Sequence, residues 1–352
     1  MNNRKVIVVL GMHRSGTSAI TKSLELFGVS LGEKLYGASF DNPKGFWEDE
    51  ECLRINQELL SINGYEYNSI IKAPDLENEK VKSLFLEAVS IVARNVERYK
   101  LWAFKDPRTC RHLNFWQSVF EKVGCEVNYI FVSRNPISVA KSLNKRNHLD
   151  LESSYFLWAQ HVYMAVSTMK HRCLFLDYDD FMDNNKNNIS KISNFLNVVP
   201  NNDKVSEYST EFLSNKLRHT KFSELDVVNN SSIPNFVKSI FLPLDKVAKS
   251  GMPDYEVNKE LLLNKSSADD FNYTCRYIES LERQQNNSWL KLSEKEKVIN
   301  EFREHSDQLI LKEIELSKQH QLHVNQLENE LNEVKSSRIY RFAKKIQGIL
   351  SR

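Results

Sequence analysis

The sequence predicts an α/β protein: a parallel sheet flanked by helices, followed by a long C-terminal helix or coiled-coil appendage. Three observations carry that expectation. Short runs of Val, Ile, Leu and aromatic residues alternate with helical patterns over the first two thirds of the chain, as strands buried on both faces alternate with their crossover helices. A glycine-bounded loop joins the first of these runs to a helical pattern. From about residue 270 the strand signals are gone, and a charged, Gln/Asn-rich stretch free of proline and glycine runs to 336.

In chain order, the expected strands are 5–10 (KVIVVL), 101–104 (LWAF), 127–132 (VNYIFV) and 173–177 (CLFLD). Each is short, apolar and β-branched or aromatic. Helical patterns fill 17–28, 47–63, 78–99, 110–123, 136–146, 153–170 and 181–196. In parallel sheets, ligands gather beyond the carboxyl ends of the strands. The loop 11–17, Lys105-Asp106 and Ser133-Arg134 all fall there. The segment 200–260 is mixed, with prolines at 234, 243 and 253.

Residues 270–336 carry spaced apolar side chains, among them Leu309, Ile310, Ile314, Leu316, Val324, Leu327, Leu331 and Val334. A helix is expected, self-associating as a coiled coil, although His320 and Ser317 interrupt the seam. In the tail 337–352, Ile339, Phe342, Ile346, Ile349 and Leu350 share one side, while Arg338, Arg341, Lys344 and Lys345 mostly occupy the other. Such a basic amphipathic helix suits a membrane surface or a partner, and packing on the coiled region is the alternative. The expected domains are therefore 1–255, 270–336 and 337–352.

At 352 residues, with 41% hydrophobic and 27% charged residues, the chain has the composition of a soluble globular protein. A formal net charge of +2 gives no electrostatic footprint for nucleic acid. The five cysteines (Cys52, Cys110, Cys125, Cys173, Cys275) never form a C-x-x-C pair. Neither a disulfide framework nor a zinc site is expected, and a reducing cytoplasm fits. No signal peptide is expected, because the first apolar run is only six residues. The expected location is the cytoplasm, with peripheral contact at the inner face of the membrane through the tail.

The loop reads "GMHRSGTSA", residues 11–19. A P-loop for ATP or GTP would be G-x-x-x-x-G-K-[ST]. Gly11 and Gly16 stand correctly, but Thr17 takes the lysine position and Arg14 is the only cation nearby. Arg14, Ser15, Gly16, Thr17 and Ser18 still assemble what an oxyanion needs: a guanidinium, three hydroxyls and the N–H groups of a helix start. "GMHRSGTS" resembles the 5′-phosphosulfate-binding loop of the sulfotransferases that use 3′-phosphoadenosine-5′-phosphosulfate (PAPS), typically [KR]-[ST]-G-T-[ST]. The resemblance implies a P-loop-like fold. It puts Arg14 near the bridging oxygen where leaving-group charge gathers, with Thr17 and Ser18 on the 5′-phosphate and no need for a metal ion. His13, beside Arg14, would face the sulfate.

A second motif agrees. The family binds the 3′-phosphate through an Arg at a strand end and a Ser eight residues on. Here "YIFVSRNPISVAKSLNKR" supplies Arg134 and Ser142, the latter sharing a helix face with Ser138. More weakly, "LFLDYDDFMDN" and the helix after it resemble a structural strand–helix unit of the family. The resemblance covers roughly residues 5–200.

Transfer to a hydroxyl needs a base near the acceptor oxygen and cations around the moving group. "DNPKGFWEDEE" (41–51) crowds five carboxylates around a turn, and "FKDPRTCRH" (104–112) sets Lys105, Asp106, Arg108, Arg111 and His112 at a strand end. Both stretches resemble those of bacterial sulfotransferases associated with cell-surface glycans, which implies a hydroxyl-bearing, saccharide acceptor and release of adenosine 3′,5′-bisphosphate (PAP). Glu48 is the leading base, with Asp106 and His112 as alternatives. Asp106-Pro107-Arg108 also fits an ion-paired turn, and Lys105 either neutralises the sulfate or caps its strand. Phe46, Trp47 and Trp102 are candidates for a stacking platform. Two other functions remain open from sequence: an NTP-dependent kinase or NTPase, and a nucleotide-binding scaffold in a polysaccharide-producing complex.

Overall fold

The computed structural model describes residues 5–39, 42–71, 73–170, 172–213, 221–250 and 265–350. Among them, four parallel strands form one sheet in the order β2-β1-β3-β4: β1 (Lys5–Leu10), β2 (Leu101–Lys105), β3 (Glu126–Ser133) and β4 (Cys173–Asp177). All four expected strands are present: β1 and β4 have the expected bounds, β2 gains Lys105, and β3 gains one residue at each end. Alternate side chains of β1 enter opposite cores, as a period of two demands. Val6, Val8 and Leu10 join the larger cluster, with Trp102, Phe104, Trp116 and Phe131. Ile7 and Val9 join the smaller, with Ile20, Leu24, Ile130 and Leu174.

From β1 the chain crosses to β2 on one side and later returns to β3 on the other. The switch in direction leaves a crevice outside the carboxyl ends of β1 and β3, where open α/β sheets bind ligands. Helices α1 (Thr17–Ser23), α2 (Glu50–Ser61) and α3 (Glu79–Arg98) lie between β1 and β2, and α4 (Leu113–Val123) between β2 and β3. Between β3 and β4 come α5 (Pro136–Asn147) and α6 (Leu151–Thr168). After β4 follow α7 (Tyr178–Asp183) and α8 (Asn185–Leu196).

The helix boundaries differ from expectation for local reasons. The helix expected over 17–28 tightens to a 3₁₀ turn at Leu24–Phe27 and stops at Gly28, whose φ of +71° closes it. The helix expected from 47 begins at Glu50, because Asp49 caps it by accepting from Glu51 N and Cys52 N. Trp47, with φ +57°, cannot belong to it. Glu48 therefore stands in the turn before the helix, not in its first turn as the sequence suggested. The expected 181–196 helix is two, broken at Asn184, and α4 starts only after a 3₁₀ turn, Pro107–Cys110. The mixed segment contains helices Asn202–Glu207, Glu224–Asn229 and Asn235–Ser250, the last enclosing Pro243. Pro253 lies outside the described residues.

The first compact unit runs Met1–Glu282 and the second Arg283–Arg352. The long helix Lys265–Ser336 thus contributes its beginning to the first unit: Phe271 is buried with the larger core, and Glu279 accepts from Tyr65 Oη at 2.9 Å. The second unit carries the rest of that helix and a terminal helix, Arg338–Leu350. No helix among the described residues is long and apolar enough to cross a membrane.

Candidate active site

A cavity of about 800 Å³ opens over the crevice. Among the described residues, its wall includes seven lysines and arginines (Arg14, Lys44, Lys105, Arg134, Lys141, Lys145, Arg146) against one carboxylate, Glu48. A protein of net charge +2 has concentrated its cations here, and the volume suits a nucleotide-sized anion.

The loop after β1 forms the floor. Arg14 holds φ +67° and Gly16 φ +81°, so the loop turns sharply and His13, Arg14, Gly16, Thr17 and Ser18 all reach the cavity. Ser15 does not line it: its hydroxyl is buried without a partner, while its N–H donates to Met12 O at 3.1 Å. Gly16 is also a close approach, since a Cβ there would sit 1.9 Å from Cδ2 of Tyr178. Gly16→Ala should therefore cost about 1–2 kcal/mol for the left-handed backbone alone, and more for displacing Tyr178. A thermal melt will show it, and Tyr178→Ala in the same chain should restore the steric part only.

The two anion motifs meet. Arg14 Nε donates to Ser142 Oγ at 2.9 Å, across 128 residues. Arg134 Nη1 donates to the Arg14 carbonyl at 2.9 Å, and its guanidinium lies over the Tyr178 ring, 4.8 Å from the centroid. Helix α5 presents Ser142 because Asn135 caps it, accepting from Ile137 N, and Pro136 starts it. Trp158 Nε1, bonded to the Arg134 carbonyl at 3.2 Å, holds the strand end from behind.

A second group gathers at the end of β2. Lys105, only 2% exposed, donates to Glu48 Oε1 at 2.7 Å and reaches Ser18 Oγ at 3.5 Å. Ser18 in turn donates to Phe46 O. The turn carrying Glu48 is pinned by Tyr36 N, which donates to Glu48 O at 2.7 Å. Burial raises the Glu48 carboxyl above its ordinary range, Lys105 opposes this, and Asp106 adds to it.

Asp106 and His112 are elsewhere. Asp106 is fully buried and does not line the cavity. It accepts from Arg108 N and Nη1 and from Asn56 Nδ2, capping the 3₁₀ turn as an ion-paired corner. His112 Nδ1 meets Asn56 Oδ1 at 3.2 Å in the same buried knot, away from the cavity. The expected platform is also dispersed: Phe46 lines the cavity, Trp102 is core, stacked on Phe104, and Trp47 packs under Lys22.

Sequence reasoning missed Tyr178, Met182, Phe212 and Leu213, which form the apolar wall. The first two lie in the stretch taken as purely structural, and nothing in their pattern separates a cavity wall from core. Lys44, whose Nζ donates to Glu211 O and Phe212 O at 2.6 Å, also had no local signature.

A parallel sheet with a glycine-bounded loop at its switch point, and cations converging on it from β1, β2 and β3, defines a P-loop-like α/β domain. The chain belongs to the sulfotransferase family, whose model matches residues 6–201, more than half its length. It is a transferase by that membership. Among solved structures it is similar to the sulfotransferase domain from the Synechococcus PCC 7002 olefin synthase, at 15% identity and a TM-score of 0.38, over 70% of this chain and 94% of that one. It is also similar to the sulfotransferase domain from the curacin biosynthetic pathway, at 14% identity and a TM-score of 0.37, over 75% of this chain and 97% of that one. No curated protein matches it.

Proposed function

We propose that this protein moves the sulfuryl group of PAPS to a hydroxyl of a saccharide acceptor, in line and without a metal ion, leaving PAP. The observation that carries this reading is the Arg14–Ser142 hydrogen bond. It joins the two motifs whose resemblance implied a 5′-phosphosulfate and a 3′-phosphate, so that one cavity serves both ends of one nucleotide. The donor set fits such a polyanion: seven cations, the hydroxyls of Thr17, Ser18 and Ser142, and the Tyr178 ring against Gly16. PAPS would supply the activated sulfuryl group, and the chain supplies everything else.

In this reading Arg134 and Ser142 hold the 3′-phosphate, and Gly16, Thr17 and Ser18 hold the 5′-phosphate. Arg14 and Lys105 face the oxygens where charge develops. Glu48 takes the proton of the attacking hydroxyl, and its raised pKa makes it a stronger base than an exposed glutamate. Asp106 orients the corner that presents Lys105, and touches no substrate. The saccharide acceptor rests on the resemblance of "NPKGFWE" and "KDPR", with Phe46 as an aromatic side chain in the same cavity wall as Glu48. Thr17, standing where an NTPase needs lysine, disfavours the kinase alternative. Calorimetry with PAP against ATP plus Mg²⁺ tests the reading.

The second unit fits assembly at a membrane in the cytoplasm. Phe302, Leu309, Leu316, Leu327 and Leu331 are half-exposed or more along the long helix, a stripe for self-association. Ile339, Phe342 and Ile346 are exposed on the terminal helix, beside the basic cluster of Lys335, Arg341, Lys344 and Lys345. We expect the full chain to co-sediment with phosphatidylserine-containing liposomes at low salt and to lose most of that binding on deletion of 337–352. Equal sedimentation of the truncated chain would assign the tail to protein contacts instead.

A further inference from the structure

The long helix Lys265–Ser336 is continuous, and one heptad register along it has two different surroundings. Up to Glu282 its a and d positions belong to the first unit. Phe271 is buried in the larger core, Cys275 and Ile278 pack against that core, and Glu282 accepts from Ile70 N at 3.3 Å. Beyond Glu282 the same positions carry Trp289, Leu292, Ile299, Ile310, Leu327 and Leu331, each at least 49% exposed. A row of large apolar side chains left to water on one helix is a seam for another helix. Polar residues share it: Glu296, Arg303 and Ser317 at a, and Ser306, Glu313 and His320 at d, all exposed.

These polar residues follow a symmetry. In an antiparallel pair of helices, an a side chain of one meets a d side chain of the other, so one centre fixes every layer. With the centre at Gln308, Arg303 meets Glu313 and Glu296 meets His320. Leu292 meets Val324, and Trp289 meets Leu327. Ile299 and Ile310 meet Ser317 and Ser306, which are small and uncharged, so between Trp289 and Leu327 no charge faces an apolar side chain. Phe302, Leu309 and Leu316 stand at g, and g faces g in such a pair: Phe302 meets Leu316, and Leu309 meets its own copy.

Other pairings fail on charge. Parallel helices in register would set Glu296, Arg303 and Glu313 each against itself. Sliding the antiparallel pair by one heptad sets Glu296 against Glu313 in one direction. In the other it sets Glu296 against Leu327 and Glu313 against Ile310. The same centre follows from the free seam itself. Gln308 is midway between Glu282, the last residue of the first unit, and Val334, the last apolar d residue of the helix.

We propose that the long helix takes as its partner a second copy of this chain, running antiparallel and centred on Gln308. The proposal rests on the self-association read above for that helix. The residues that interrupt an ideal seam then specify orientation and register, at some cost in stability, as polar seam residues do. Exchanging the two copies leaves every layer unchanged, so the Arg303–Glu313 and Glu296–His320 layers each occur twice. The pair closes as a twofold dimer instead of adding further copies.

The test uses the full chain, which should sediment as a dimer at equilibrium. Leu292→Cys and Val324→Cys, oxidised separately, should give no more linked dimer than wild type. Each new thiol would lie about 48 Å from its own copy at 1.5 Å per residue. Mixed and annealed before oxidation, the two variants should link through positions 292 and 324, as peptide mass spectrometry will identify. Arg303→Glu, facing Glu313 with a like charge, should weaken the dimer roughly ten- to a hundredfold, and Glu313→Arg should do the same. Mixed together, these two should pair at nearly wild-type strength, which also shows that each is folded. Self-linking of either cysteine variant, no link in their mixture, or charge variants that do not rescue each other would overturn the proposal. If wild type sediments as a monomer, the self-association reading falls and this inference with it. If wild type dimerises and a single cysteine variant links to itself, only the antiparallel pairing falls.

Discussion

Glu48→Gln should lower turnover by roughly 10²- to 10⁴-fold, the usual contribution of a positioned base, while PAP affinity changes little. Gln keeps an oxygen for Lys105 Nζ, which now bonds Glu48 Oε1 at 2.7 Å, so the backbone bond from Tyr36 N to residue 48 O should be kept. Charge is what is lost. Lys105 is buried, and removing the partner of a buried ion pair costs about 3–5 kcal/mol where nothing replaces it. PAP supplies negative charge to the same cavity, so the melt of the variant should be depressed without PAP and substantially recovered with it. Turnover is measured by ³⁵S transfer from PAPS to the host's surface polysaccharide pool. An active variant would remove Glu48 from the role.

The same pair sets the pH profile. Glu48 must be ionised to accept a proton, and burial, with Asp106 adding to it, holds its carboxyl above the ordinary glutamate range despite Lys105. The acidic limb of kcat/KM should therefore lie above the pH of about 4.3 at which a free glutamate titrates. Lys105→Met removes the one influence that opposes burial most directly, and the limb should move further toward neutral pH. A limb that stays in place would mean that another group governs it.

How much of this was legible from residues alone follows the range of the interactions. The strands were, because side chains buried on both faces leave continuous apolar runs. The sharp loop after β1 was, because Gly11 to Ser18 act through neighbours in sequence. Glu48 was visible as one acid among five, but not its setting. A positive φ at Trp47 ends a pattern that looks helical, and the lysine that pairs with Glu48 is 57 residues away. Asp106 looked like a catalytic acid at a strand end, and its burial depends on Asn56, 50 residues distant. Apolar cavity walls such as Met182 and Leu213 obey the same pattern as core and could be told apart only by where the chain leaves space.

Arg134→Ala should weaken PAP binding by roughly ten- to a hundredfold, the loss of charged hydrogen bonds at about 1.5–3 kcal/mol. Three features make the effect large. Arg134 is 8% exposed, so salt screens it less than a surface arginine. It also holds the Arg14 carbonyl, and Arg14 bonds Ser142, so its loss loosens the loop after β1 as well. Its guanidinium rests on Tyr178, which packs against Gly16. For that last reason Arg134→Lys should not rescue: an ammonium cannot span the Arg14 carbonyl, the ring and a phosphate at once. Arg14→Ala should also weaken PAP binding, since its guanidinium bonds Ser142, which in this reading holds the 3′-phosphate. Calorimetry with PAP, in the presence and absence of Mg²⁺, measures all of this. Binding that ignores Mg²⁺, exceeds that of ATP and collapses in Arg134→Ala supports the two-subsite cavity. Binding of ATP that requires Mg²⁺ and survives the substitution would return the loop to the nucleotide triphosphatases, with Thr17 unexplained.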